Sequence, residues 1–325
     1  MDPSSSVTSA PETRHVPRVL LTGASGFLGR ACLAALLRAG AEVVATYRGV
    51  VPADAWARAP GLKWVQADLT NAAACAAVCA DHRPTHLLAL AWHMAPGYQQ
   101  ALENYRWITH SLDLICAFSA SGGQRIVFCG SCMEYDWTWE APFVEEVTPL
   151  RPATDYGAAK AALFTAYGPL CAQLGLSAAW ARPYFLYGPG ENPRRLAADV
   201  IVSLLQEREA LCGPGTQRRD FMHVADVADA MTSLLFSQAR GPMNIGSGTA
   251  VPLVALIEEI GRQIGRGDLI RLGAHEARPG EPDLVEADTT LLCKELNWVP
   301  SFTLETGLAD TIAWWRAELE KDEDA

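Results

Sequence analysis

Between the apolar run "RVLL" and the alanine- and leucine-rich stretch "GRACLAALLRAG", the chain reads "TGASGFLG". Gly23, Gly26 and Gly29 stand in a turn that leads from a strand into a helix. The first glycine permits a tight turn and the second lets a backbone approach a pyrophosphate. The third lets the helix pack closely on the strand, with its N-terminus toward the phosphates. Turn glycines also reach such spacings by chance, but these open the first strand–helix–strand unit, and Gly40 stands where a left-handed cap would stop the helix.

The alternation continues through "AEVVATYR", "LKWVQADL", "THLLALAW" and "RIVFCGS", short β-rich runs separated by alanine-rich helical stretches. It predicts an α/β fold, a Rossmann-like doubly wound parallel sheet, over residues 17–182. After about residue 183 Pro and Gly become frequent and the pattern loosens, so a smaller C-terminal substrate-binding domain is expected over 183–325, with segments of 220–250 returning to the sheet. Residues 1–16 read as a disordered tail.

Composition removes several classes of function. The 325 residues are 50% hydrophobic and 19% charged, enough to bury a large core. A net charge of −11 offers no basic stripe, so nucleic acid and anionic membranes are excluded as partners. No run reaches the roughly 18 apolar residues of a membrane span, and no secretory signal is present. Nine cysteines, an odd number spread through apolar segments, indicate reduced thiols and a cytoplasmic location. Cys129 and Cys132 form a C-x-x-C, yet it crosses a strand end and its turn, where a redox pair is not expected. No cluster has metal-ligand spacing, so no metal is expected.

The second strand distinguishes the cofactors. An NAD site usually carries an acidic residue at this strand's end, about 20 residues after the glycines. The end reads Ala45-Thr46-Tyr47-Arg48, without a carboxylate. Arg48 suits a 2′-phosphate, with Arg30 as a second candidate, so NADP(H) is expected ahead of NAD(H). A merely solvated Arg48 is the competing reading. Asp68 and Leu69, after the third strand, are placed at the adenine edge, where Asp68 as a helix cap is the alternative.

In "YGAAK", Tyr156 and Lys160 share one helix face, and an ammonium beside a phenol lowers a pKa of about 10. Y-x-x-x-K alone means little. Joined to "TGASGFLG", to the serine after "RIVFC", and to "RPYFLYGPGENPRRL", "RRDFMHVADVADA" and "NIGSG", it resembles the extended short-chain dehydrogenase/reductase family of NAD(P)-dependent nucleotide-sugar epimerases, dehydratases and reductases. The resemblance implies that Tyr156 exchanges a proton with substrate, that Lys160 assists it and holds the nicotinamide ribose, and that Ser131 bonds the reacting oxygen. It implies further cofactor contacts at Ser25, Phe27, Leu28, Leu90, Ala91 and Pro183. Arg219 and Arg278 resemble diphosphate-binding arginines, and Asn192 and Arg195 resemble substrate-loop contacts. His93, Cys132 and Met133 are placed beside the sugar. Surface pairing is the competing reading for the arginines.

The family's dehydratases carry Asp-Glu directly after the catalytic threonine, whereas this chain has Cys132 and Met133 there. Glu134 comes one residue too late, and in an extended segment it would point away. Its 3,5-epimerases pair a cysteine two residues after the serine with a later histidine, and neither is present. The expected activity is therefore NADPH-dependent reduction of a nucleoside-diphosphate 4-keto-6-deoxyhexose. A 4-epimerase with retained NAD is the alternative, and a non-catalytic dinucleotide-sensing protein is the reading from another class. The segments "YRWITHSLDLICAFSAS" and "YGAAKAALFTAYGPLCAQLG" resemble the helices that family members pack across a dimer, so a homodimer is expected.

Overall fold

The structure is a computed structural model and describes residues 16–50, 58–276 and 280–323. Arg278 and the N-terminal tail expected over 1–16, apart from residue 16, lie outside the described residues. The first strand, β1 (Arg18–Thr22), buries every residue after Arg18. It is followed by α1 (Phe27–Arg38), β2 (Glu42–Tyr47), β3 (Leu62–Gln66), α2 (Ala72–His82), β4 (His86–Ala89), α3 (Glu103–Ala120), β5 (Arg125–Cys129), α4 (Asp155–Gln173) and β6 (Ser177–Pro183). Alternate residues of β1 feed two cores. Val19 and Leu21 meet Leu33 and Leu36 of α1, while Leu20 joins Val78 of α2, Leu114 of α3 and Leu163 of α4. A strand buried on both faces in this way reads as a continuous apolar run, which is what the sequence offers.

The chain then leaves the sheet through β7 (Phe185–Tyr187), α5 (Leu196–Leu205), β8 (Ala210–Leu211) and β9 (Arg218–His223). It returns with α6 (Val224–Phe236), which packs beside α1, and β10 (Gly241–Ile245). The completed sheet is parallel, seven strands in the order β10-β6-β5-β4-β1-β2-β3. The order reverses between β1 and β4, and in open α/β sheets such a switch point leaves a crevice at the strands' carboxyl ends.

The remaining elements are β11 (Ala250–Pro252), α7 (Leu253–Ile264), β12 (Ile270–Arg271), β13 (Leu284–Val285), α8 (Thr290–Leu296) and α9 (Leu304–Glu323). Strands β7, β11 and β13 form a second small sheet around β9. Its apolar layer joins Tyr187, Ile201, Leu256, Ile260, Leu308 and Trp315, so α5, α7 and α9 close over it. β9 runs directly into α6, which ties this layer to the large sheet.

Candidate active site

The glycine turn lies at the switch point. Gly23 has φ +67°, and a Cβ there would stand 3.0 Å from the Ala91 nitrogen. The Ala91 and Leu90 N–H groups both donate to Thr22 Oγ1 at 3.1 Å, which locks the ends of β1 and β4 together. A side chain on Gly29 would overlap the Gly23 carbonyl, so only glycine allows α1 to sit this close. A Cβ on Gly26 would meet only the Gly23 oxygen, at 3.3 Å. Helix α1 starts at Phe27 and Leu28 with no side-chain cap and no acidic residue in its first turn. Its N–H groups and positive dipole end therefore suit an anionic diphosphate, and the turn fits a dinucleotide.

The adenosine side is more open. Arg48 is exposed just beyond β2, and its carbonyl accepts from Gln66 Nε2 at 3.3 Å. Asp68 uses Oδ1 to accept from the Thr70 hydroxyl at 2.8 Å and its N–H at 3.1 Å. These bonds hold its carboxyl below the usual range, and the Arg48 charge contributes a smaller pull. Leu69 is buried beneath it, and the Ser25 carbonyl accepts from Arg30 Nε at 3.2 Å. Pro183, the last residue of β6, is buried at the sheet's carboxyl edge.

Ser131, Tyr156 and Lys160 converge next to this cradle. Ser131 caps a short 3-10 turn, Cys132–Glu134, and its Oγ accepts from the Met133 N–H at 3.2 Å. A Cβ on Gly157 would overlap the Met133 carbonyl, so glycine lets α4 press on this turn and brings the neighbouring Tyr156 to Ser131. Thr154 caps α4 by accepting from the Gly157 N–H at 3.1 Å. Burial pushes the Tyr156 phenol well above its ordinary range, while a hydrogen bond with the Ser131 side chain pulls the other way. Lys160 Nζ donates to the Cys129 carbonyl at 2.6 Å and stands 3.7 Å from the Trp92 ring centre. Burial lowers its pKa to about 8.

This differs from the expectation that Lys160 lowers the phenol's pKa. The ammonium lies 5.8 Å from the Tyr156 ring centre and spends its charge on a carbonyl and an indole face, so desolvation dominates at Tyr156. Glu134 ends a 3-10 turn and not an extended segment, and its carboxylate is fully buried against Arg182 and Trp180. The Cys129 and Cys132 thiols are pushed up by burial to about 11 and about 12, which keeps both protonated.

Two elements missed in the sequence complete this wall. Tyr98, after β4, meets Tyr156 edge-on with ring centres 5.1 Å apart, and its hydroxyl accepts from Arg195 Nη2 at 3.2 Å. Asn104, fully buried at the start of α3, accepts from Trp92 Nε1 at 2.8 Å and donates to the Tyr98 and Ala101 carbonyls. One amide thus holds both aromatic residues against Tyr156 and Lys160. A polar residue immediately before a predicted helical segment is its only sequence signal.

Of the substrate candidates, Arg195 reaches the cleft through Tyr98, whereas Asn192 is exposed and accepts from the Arg194 N–H at 2.9 Å. His93 is half-buried on the loop after β4. Cys132 is buried, and Met133 Sδ accepts from Gln99 Nε2 at 3.7 Å. Arg219 is buried on β9, donates to the Arg218 and Pro282 carbonyls at 2.9 Å each, and pairs loosely with Glu281 at 3.4 Å. Glu191, in the loop before α5, is an unexpected buried carboxyl. Burial raises its pKa to about 8 against the pull of Arg195 and of a hydrogen bond from the Ala198 backbone. Among the described residues no group is placed to hold a metal ion, and no helix is long and apolar enough to cross a membrane.

A glycine-turn dinucleotide cradle beside a Ser–Tyr–Lys cluster defines a nicotinamide-dependent enzyme class. The chain belongs to the NAD-dependent epimerase/dehydratase family, whose model matches residues 19–246. It is 27% identical to a UDP-glucose 4-epimerase of Azospirillum brasilense, over 95% of each chain. It is 28% identical to a dTDP-4-dehydro-6-deoxy-D-allose reductase of Streptomyces bikiniensis, over 92% of this chain and 96% of the relative. Among solved structures, the UDP-glucose 4-epimerase of Thermus thermophilus, in complex with NAD, has a TM-score of 0.81 at 23% identity, covering 92% of this chain and 99% of that one. Members of the family are NAD(P)-dependent enzymes acting as nucleotide-sugar epimerases, dehydratases or reductases.

Proposed function

We propose that the protein reduces the C4 ketone of a nucleoside-diphosphate 4-keto-6-deoxyhexose, using NADPH. The observation that carries this reading is the make-up of the turn after Ser131. Cys132 is a buried, protonated thiol, Met133 cannot ionise, and Glu134 is turned to Arg182. No second acid/base pair stands beside Ser131 among the described residues, so elimination of water has no carboxylates to run on. When bound, the nicotinamide supplies the hydride. Ser131 orients the ketone oxygen, Tyr156 donates its proton, and Lys160 keeps a positive charge beside the phenolate that results. Arg219 suits the diphosphate, since a guanidinium fork matches it, and Arg195, on the loop before α5, suits a contact with the substrate.

Support for NADPH over NADH is the exposed Arg48 and the lack of an acidic residue at the end of β2. The Streptomyces relative, named as a keto-sugar reductase, supports the reaction. The segments expected to pair across a homodimer form α3 and α4, which pack side by side on one face of the sheet. A dimer built on them is part of the proposal. The test supplies 4-deuterated NADPH with a nucleoside-diphosphate 4-keto-6-deoxyhexose in deuterated water. One cofactor-derived deuterium at C4, and no solvent deuterium at C3 or C5 beyond the enzyme-free control, is the expected result. Interconversion of two 4-hydroxy sugar nucleotides without net cofactor use would replace this reading with a 4-epimerase.

A further inference from the structure

Directly behind Ser131 lies a charge pair with no access to water. Glu134 and Arg182, on β6, both have fully buried side chains, with Glu134 Oε2 accepting from Arg182 Nε at 2.7 Å. The other oxygen, Oε1, accepts from the Ser131 backbone N–H at 2.8 Å and from Trp180 Nε1 at 3.0 Å. Gly130 is what permits this. A Cβ there would overlap both Trp180 Nε1 and Glu134 Oε1, so glycine lets the carboxylate and the indole close on the backbone that carries Ser131. Arg182 continues outward, donating to the Tyr135 hydroxyl at 3.1 Å and the Glu145 carbonyl at 3.3 Å. Tyr135 in turn donates to Asn244 on β10 at 2.7 Å.

A buried ion pair is costly to form and weak evidence for stability, because apolar residues of similar volume often do as well. Its contacts here point toward the site. One carboxylate oxygen holds the residue whose hydroxyl meets Tyr156, and the ionisable groups around Glu134 are Tyr156 and Lys160 together with Cys129, Cys132, Tyr135 and Arg182. We propose that Glu134 is a positioning residue: by accepting the Ser131 N–H, and held in place itself by Arg182 and Trp180, it fixes where the Ser131 hydroxyl stands relative to Tyr156. The inference rests on the reading of Ser131, Tyr156 and Lys160 as the reacting group.

Two double variants separate positioning from mere structure. Glu134→Gln with Arg182→Met removes both charges and keeps an acceptor for the Ser131 N–H. Glu134→Leu with Arg182→Met removes the charges and the acceptor together. Assayed with NADPH and a nucleoside-diphosphate 4-keto-6-deoxyhexose, and for epimerase activity with UDP-glucose, the Gln/Met protein should keep kcat within about threefold of the parent. The Leu/Met protein should lose about tenfold or more in kcat, with KM little changed, since the lost interaction acts on the transition state. Equal kcat in the two doubles would overturn the inference while leaving Ser131 in its role. A Ser131→Ala protein with parental kcat would overturn the reacting group itself and this inference with it.

Discussion

The floor of the cleft and its rim treat charge differently. At the floor Glu134 and Arg182 are paired without water, and Lys160 is lodged between a carbonyl oxygen and an indole face. At the rim Arg48 and Arg195 are exposed, and one oxygen of the buried Glu191 carboxyl has no hydrogen-bond partner among the described residues. A charge withdrawn from water loses several kcal/mol of solvation, so it persists only where partners hold it in one geometry. An exposed guanidinium keeps its hydration and its rotamers until something binds it. Substitutions in the two places should therefore register differently. Changes at the floor should act on rate, and changes at the rim on affinity or on stability.

Tyr156→Phe sharpens the contrast most. The phenyl ring fills the same space between Tyr98 and Trp92, so NADPH affinity should stay within about twofold while kcat falls by about 10²–10⁴ with loss of the proton donor. Steady-state kinetics beside cofactor titration checks it. A kcat loss below about tenfold, or a large loss of NADPH affinity, would break the contrast at its strongest point.

What is legible in the sequence follows the same division. The glycine turn, the parallel sheet and the Tyr156/Lys160 spacing are local patterns, because a strand–turn–helix and one helix face are each set by residues close in the chain. The floor's partners come from far away. Glu134 meets Trp180 and Arg182 more than forty residues on, and Asn104 joins Trp92 to Tyr98 across a loop with no regular pattern. Their side chains carry no periodic signal, and only the packed sheet brings them together. The effect of Lys160 on Tyr156 is illegible for a related reason. Sequence supplies the charge but not the burial, and here burial dominates.

Glu191→Gln probes the one rim residue that breaks the pattern by being buried. Burial raises its folded pKa from 4.5 to about 8, so the folded state holds this proton more tightly than the unfolded chain. The resulting stabilisation is fully present below pH 4.5 and is lost as pH rises through about 8. Glutamine keeps the shape and cannot ionise. Denaturant unfolding should therefore find the variant close to the parent at acid pH and more stable by about 1–3 kcal/mol on the alkaline side. A parent–variant difference that does not grow with pH would return Glu191 to the class of ordinary rim charges.

Arg48→Ala carries the smallest expected effect, because its target is an exposed charge. Arg48 lies beyond β2 in water, close enough to Asp68 to contribute to that carboxyl's lowered pKa. A guanidinium–phosphate contact at such a site is screened by salt and weakened by hydration. The variant should bind NADPH about three- to tenfold more weakly, with NADH affinity unchanged, because only the 2′-phosphate distinguishes the two. The loss should shrink as ionic strength rises, a dependence that Tyr156→Phe should not show. Calorimetric titration of both cofactors at low and high salt checks it. Equal weakening of NADPH and NADH would remove Arg48 from the 2′-phosphate site, and NADH preferred by the parent protein would overturn the NADP assignment.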